Sequence, residues 1–205
     1  MMLPSGPAID SLRAQLVTIA HRAYAHGLTL GVSGNLSVRL PGGAGVLIKA
    51  TGKCLGDMTE DDTLVIDLEG NVAGDGSSPR PSKERWFHCA IYQRRPDVGA
   101  VVHLHPPHAV AFAAAHALPP LLTGAARAFL GGKIALVPPA PSGSRELAAM
   151  VGEAFANAAV QAVILAEHGT VAVGPDVQTA FYLSEYLEDA ARTACLVWNI
   201  RGERA

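Results

Sequence analysis

Apolar and polar positions alternate along the chain with two periods, and the change of period marks short strands among longer helices. From Ile9 to about His26, Leu12, Leu16, Ile19 and Tyr24 recur at near-helical spacing; Asp10 and Ser11 offer capping chemistry, and Gly27 stands where the helix should stop. Glycines at Gly31 and Gly34 then frame a turn, after which Leu36 and Val38 alternate with Ser37 and Arg39 as in a half-buried strand. Pro41-Gly-Gly-Ala-Gly predicts a hairpin turn, Val46-Leu-Ile the returning strand, and Thr63-Leu-Val-Ile-Asp-Leu another strand closed by Glu69-Gly-Asn. Short strands joined by tight turns predict an antiparallel first half rather than a dinucleotide-binding unit.

The second half mixes periods. Gly74 to Pro81 predicts a surface loop, and Ser82 to Tyr92 a helix with Ser82 as its N-cap. The apolar run from Gly99 ends in His103-Leu-His105 and is stopped by Pro106-Pro107, which predicts a buried strand; Ala109 to about Ala117 then has good helix propensity. Pro119 to Gly132 has no clear period. Ile134-Ala-Leu-Val reads as a strand, Arg145 to Ala158 as a helix opened by Ser142-Gly-Ser, and Ala162-Val-Ile-Leu-Ala as an apolar strand interrupted by Glu167-His-Gly169. Gly169 is expected to supply the sharp turn there, Thr170-Val-Ala-Val to resume the strand, and Asp176 to Asn199 to form a long closing helix with Phe181, Leu183, Leu187, Ala190 and Ala194 inward.

Composition narrows the choice of partners. The 205 residues suit one domain spanning 1–205, and 49% hydrophobic against 17% charged residues suits a subunit that hides surface in an oligomer. A formal net charge of −2 argues against nucleic acid or an anionic membrane, whose partners carry a basic excess. Cys54, Cys89 and Cys195 are odd in number and widely spaced, so neither a disulfide framework nor a cysteine zinc site is expected. The opening Met-Met-Leu-Pro-Ser-Gly-Pro has no basic region or apolar run of a secretion signal, and a cytoplasmic location is expected.

Candidate chemistry gathers at strand ends and turns. Side chains alternate along a strand, so His103 and His105 point to one side, as two ligands of one metal would. Alone, the pair fits buried histidines satisfied by backbone equally well. His168, also at the end of an apolar strand, is by itself more often a structural residue, but three such histidines form the protein set of an open zinc site. Glu84 follows a serine at a helix start, where backbone N–H groups would hold a carboxylate, and there it either serves as a base or only complements the helix dipole. Gly34-Asn35, Thr51-Gly52 and Ser82-Lys83 are turns of the kind that hold phosphate-sized anions.

Taken in order, Gly34-Asn-Leu-Ser-Val-Arg, Ala50-Thr-Gly, Pro81-Ser-Lys-Glu, Phe87-His, Val101-Val-His-Leu-His-Pro-Pro-His, Ser144-Arg-Glu-Leu and Glu167-His-Gly resemble the class II aldolase/adducin family over about residues 10–200. The resemblance implies a three-layer α/β/α sandwich around a largely antiparallel mixed sheet, usually a C4 homotetramer with active sites between subunits. It puts His103, His105 and His168 on a metal, normally Zn2+ with Mn2+ or Co2+ as alternatives, and makes Glu84 the acid/base. Gly34, Asn35, Thr51, Gly52 and Ser82 would hold a substrate phosphate, with Lys83 adding charge. The implied reaction is retro-aldol cleavage of a small phosphorylated ketose through an enediolate, releasing dihydroxyacetone phosphate and an aldehyde. Other branches imply decarboxylation of a 3-oxo-tetronate 4-phosphate, 4-epimerisation of a pentulose phosphate, dehydration of methylthioribulose phosphate, or an adducin-like assembly role without catalysis. Aldolases of the family use a tyrosine in the segment before Gly131-Gly132, and Leu121 to Gly132 holds none.

Overall fold

A computed structural model describes residues 6–43, 45–73 and 79–202. The opening residues 1–5, read for a targeting signal, lie outside the described residues, as do Ala44 of the hairpin turn and residues 74–78 of the expected loop. In chain order the elements are α1 (Pro7–Ala25), β1 (Asn35–Arg39), β2 (Val46–Lys49), β3 (Thr63–Ile66), α2 (Arg85–Arg94), β4 (Ala100–Leu104), α3 (Pro107–Ala114), α4 (Gly124–Leu130), β5 (Ile134–Val137), α5 (Arg145–Ala156), β6 (Ala162–Leu165), β7 (Gly169–Gly174) and α6 (Val177–Arg201). These seven strands make one sheet in the order β3-β2-β1-β4-β7-β6-β5. Among the described residues only β5 and β6 run parallel.

Side-chain alternation divides the sheet between two apolar layers. Val46, Ile48, Val101, Val163, Val171 and Val173 face α2 and α5, packing on Phe87, Ile91, Leu147, Val151 and Phe155. From the other face, Leu36, Val38, Leu47, Ala100 and Val102 meet α1 and the start of α6, while Ala162, Ile164 and Ala172 meet α3, α4 and the rest of α6. Two helical layers around a mixed sheet make the α/β/α sandwich. Each fully buried aliphatic or phenyl side chain contributes about 1.5–3 kcal/mol to it.

Several local expectations are revised. α1 begins at Pro7 after Gly6, with no side-chain cap, so Asp10 lies in its first turn and Ser11 caps nothing; Tyr24, assigned to the inner stripe, is 41% exposed. β1 is buried on both faces, not half-buried, because α2 covers the side that carries Ser37. α2 starts only at Arg85, with Glu84 at the N-cap position, and Ser82 instead accepts a 3.3 Å hydrogen bond from the Glu84 amide in the turn before it. The segment without a clear period folds as α4, capped by Thr123. Within the expected Ser142-Gly-Ser opening it is Ser144 that caps α5, which ends at Ala156 and not at Ala158.

Candidate metal centre and cleft

The three histidines converge because the end of β4 and the β6–β7 turn meet at one end of the sheet. β4 pairs with β7 so that His103 lies opposite Val171 and Leu104 opposite Thr170. His103 ends up fully buried. Its Nδ1 lies 2.9 Å from the Thr170 carbonyl, which can only accept, so the ring hydrogen sits on Nδ1 and the Nε2 lone pair faces inward. His105 extends past the strand end, its amide donating to Leu28 O at 3.0 Å, and its Nε2 lies 3.0 Å from that of His103.

His168 comes from the β6–β7 turn. The residue there with positive φ is Glu167 (φ 61°), not the expected Gly169. Glu167 is held by His116, whose Nε2 lies 2.8 Å from Oε1, and by its own amide donating to Ala113 O at 3.0 Å. Gly169 is needed for a different reason: a Cβ there would lie 2.5 Å from His105 Cδ2 and 2.7 Å from Leu104 O. The glycine makes room for the ring of His105. Ligand nitrogens of His103, His105 and His168 all lie within 4.8 Å of one another, a group that could hold a metal ion.

Glu84 closes the fourth side. Its Oε2 lies 3.0 Å from His103 Nε2 and its Oε1 lies 3.1 Å from His168 Nε2. Asn35 Nδ2 donates to Oε2 at 2.9 Å and Ser142 Oγ to Oε1 at 2.7 Å. Side chains, not the backbone amides of a helix start, therefore orient this carboxylate. Burial works against its ionisation, but the neighbouring imidazoles of His103 and His168 and the hydrogen bond from Ser142 outweigh it and hold the carboxyl below the ordinary carboxylate range. Burial is also the main force that lowers His105 to about 3, helped by its His103 and His168 neighbours, which leaves a neutral ring suited to ligation.

This donor set fits a cation on its own geometry. With the His103 hydrogen committed to Thr170, a lone pair on Nε2 faces a carboxylate oxygen at 3.0 Å, which is repulsive until a proton or metal lies between them. The His103–Thr170 bond is the outer contact that fixes ligand tautomers in metal sites. His168 lacks one, since its Nδ1 is buried with no partner among the described residues.

Gly34, Asn35, Thr51, Gly52, Ser82 and Lys83 line one cavity of about 440 Å³, together with Glu84, His105 and His168. His103 lies behind its wall. Gly34 has φ +76°, and a Cβ there would approach His103 O to 3.1 Å, so this turn packs directly on the histidine strand. Lys49 and Ser142, also in this lining, escape sequence reasoning. Lys49, at the end of β2, is 2% exposed; its ammonium donates to Val32 O over a long 3.4 Å, and burial lowers it to about 8 against the pull of Cys54, Asp62 and Glu84. A lysine closing Val-Leu-Ile-Lys reads as a solvated strand end. Ser142 reads as a helix opener, and only the rigid Pro138-Pro139-Ala140-Pro141 before it hints at a placed hydroxyl.

An α/β/α sandwich that gathers three imidazoles and a carboxylate beside a polar cleft has the makings of a metal site for a small polar ligand. The chain belongs to the class II aldolase and adducin family: the family model described as Class II Aldolase and Adducin N-terminal domain matches residues 14–195. It is 34% identical over 185 residues to L-fuculose phosphate aldolase of Methanococcus maripaludis, covering 90% of this chain and 97% of that protein. It is equally 34% identical over 197 residues to 3-oxo-tetronate 4-phosphate decarboxylase of Haemophilus influenzae, covering 92% and 88%. Its structure is similar to that of L-fuculose-1-phosphate aldolase from Thermus thermophilus, with TM-score 0.81, 28% identity and coverage of 96% and 98%. Among the described residues no helix is long and apolar enough to cross a membrane.

Proposed function

We propose that the chain is a divalent-metal-dependent carbon–carbon lyase that cleaves a small phosphorylated ketose by retro-aldol reaction, giving dihydroxyacetone phosphate and an aldehyde. The observation that carries this reading is the convergence of His103, His105, His168 and Glu84 beside a cleft rich in donors. Three imidazoles suit Zn2+ and leave a coordination position open, with Mn2+ or Co2+ as alternatives. When bound, the ion supplies Lewis-acid stabilisation of the enediolate charge. Thr51, Gly52, Ser82 and the Gly34-Asn35 turn hold the phosphate, and Lys83 and Lys49 neutralise it. Glu84 moves the proton at the carbanion carbon. A carboxylate that accepts hydrogen bonds from Asn35 and Ser142 is a weak base, and substrate that displaces either contact raises its proton affinity.

Residues 1–205 form one domain in this reading, and the working unit is a cytoplasmic C4 homotetramer with its sites at subunit interfaces and no nucleic-acid or membrane partner. Val32, which lines the cleft and is 59% exposed, supports a neighbouring subunit there. Decarboxylation of a 3-oxo-tetronate 4-phosphate is the second reading. It is favoured by the absence of tyrosine from Leu121–Gly132 and by the decarboxylase relative. The test incubates metal-loaded protein with a panel of ketose phosphates and oxo-tetronate phosphates and assays dihydroxyacetone phosphate and carbon dioxide separately. Dihydroxyacetone phosphate is expected. Carbon dioxide alone transfers the assignment to the second reading, and neither product refutes both.

A further inference from the structure

We infer that a buried side-chain ladder, Asn35 and Ser37 on β1 against His88 and Tyr92 on α2, positions Glu84, and that His88 sets which end of the Asn35 amide faces the cleft. The inference rests on the reading of Glu84 as the acid/base. Two periods that almost coincide create the ladder. Alternate residues of a strand step about 6.6 Å, and every fourth residue of a helix about 6 Å. Positions 35, 37 and 39 on one strand face can therefore meet positions 84, 88 and 92 along one helix stripe.

The contacts follow that register. His88 Nε2 lies 2.5 Å from Asn35 Oδ1, and its Nδ1 lies 2.7 Å from Ser37 Oγ. Tyr92 OH lies 2.9 Å from Ser37 Oγ and donates to Ser37 O at 3.0 Å, while Arg39 Nη2 donates to Tyr92 O at 2.8 Å. Asn35, Ser37, Glu84, His88 and Tyr92 are all at most 5% exposed, so each polar group needs a partner inside the protein.

The hydrogens can point only one way. Turning the Asn35 amide over would set Oδ1 against Glu84 Oε2, acceptor against carboxylate. Asn35 Oδ1 therefore faces His88, which must donate from Nε2; the opposite ring nitrogen is then a lone pair and takes the Ser37 hydroxyl hydrogen. Burial keeps His88 neutral, lowering it to about 3. Asn35 Nδ2 gives one hydrogen to Glu84 and keeps a second for the cleft that Asn35 lines. His88 touches no substrate. It is a positioning residue that keeps the donor end of Asn35 toward two anions, the carboxylate and an incoming phosphate.

The test compares His88→Gln, which keeps a donor near the Nε2 position, with His88→Asn, which keeps a polar group only near Nδ1. In the zinc-loaded full chain, the Asn35 side-chain amide resonances are followed by NMR, and the affinity for inorganic phosphate is measured. For His88→Asn we expect the carboxylate-bonded Asn35 hydrogen to lose its downfield shift and phosphate to bind about tenfold more weakly, the loss of one well-made hydrogen bond. His88→Gln should restore both. Equal behaviour of the two variants, or an unmoved Asn35 resonance in folded His88→Asn, overturns the inference. If His88→Asn does not fold, Ser37→Ala reads the same resonance one link away, and an unmoved signal there overturns it too. The amide readout needs no turnover, so failure of the lyase assay and failure of the ladder are separate results.

Discussion

Gly169→Ala tests whether the fold was shaped to seat His105. The added methyl would lie 2.5 Å from His105 Cδ2 and 2.7 Å from Leu104 O, both well inside ordinary contact distance. Leu104 is fixed by the β4–β7 ladder opposite Thr170, so the imidazole gives way, by close to an ångström. Overpacking of that kind costs about 1–3 kcal/mol. Ligand distances in metal sites tolerate only about 0.2 Å, so the displaced ring should also lower zinc affinity by at least about tenfold. The assay is urea unfolding of the metal-free protein, paired with a zinc titration against a competing chelator. Zinc at 100 times its Kd stabilises the wild-type fold by about 2.7 kcal/mol, and this increment should shrink in the variant at the same zinc concentration. Metal-free stability within about 0.5 kcal/mol of wild type together with unchanged zinc affinity would refute the account, since ordinary surface substitutions fall in that band.

Glu84→Gln should keep metal and fold while losing lyase turnover, and wild-type turnover would remove the acid/base role. Metal analysis of His103→Ala and His168→Ala should find the ion lost, and unchanged stoichiometry would defeat the ligand set. Lys49→Met should weaken inorganic phosphate binding by about tenfold or more, as expected for a lost charge-assisted contact, and an unchanged Kd would take Lys49 out of the cradle. Because burial lowers Lys49 to about 8 from 10.5, the unfolded chain binds more protons between those values. The stability of wild type relative to Lys49→Met should therefore rise with pH across that window, as urea midpoints would show, while phosphate affinity falls above about pH 8.

How far each feature was legible depended on whether its neighbours lay close in sequence. The strands of the first half and the long closing helix were readable because alternation and helical period are local patterns. His103-Leu-His105 was readable because strand alternation alone puts both rings on one side, and His168 because its turn breaks an apolar run. Pairing made β1 harder to read. Its Ser37 and Arg39 looked solvent-facing until α2, some fifty residues later, covered them with His88 and Tyr92. Gly169 shows the opposite failure: the residue was marked, but for a turn that Glu167 makes, and only the position of His105 explains it.

The two halves of the site are joined through the sheet rather than by loops. Asn35, in the proposed anion site, pairs directly with His103, in the proposed metal site, across β1 and β4. Cα atoms of directly opposed antiparallel residues lie only about 4.5–5.5 Å apart, and the ladder of hydrogen bonds does not let that spacing vary. Glu84 bridges the same gap, touching Asn35 with one oxygen and reaching His168 with the other. A ligand that satisfies both halves must therefore carry its anionic group within a few bonds of the oxygens that face the histidines. In the proposed function, that fixed separation suits a small phosphorylated sugar. It also gives the inferred ladder its purpose: an amide turned over at this junction would set a carbonyl oxygen against the carboxylate and against any anion bound beside it.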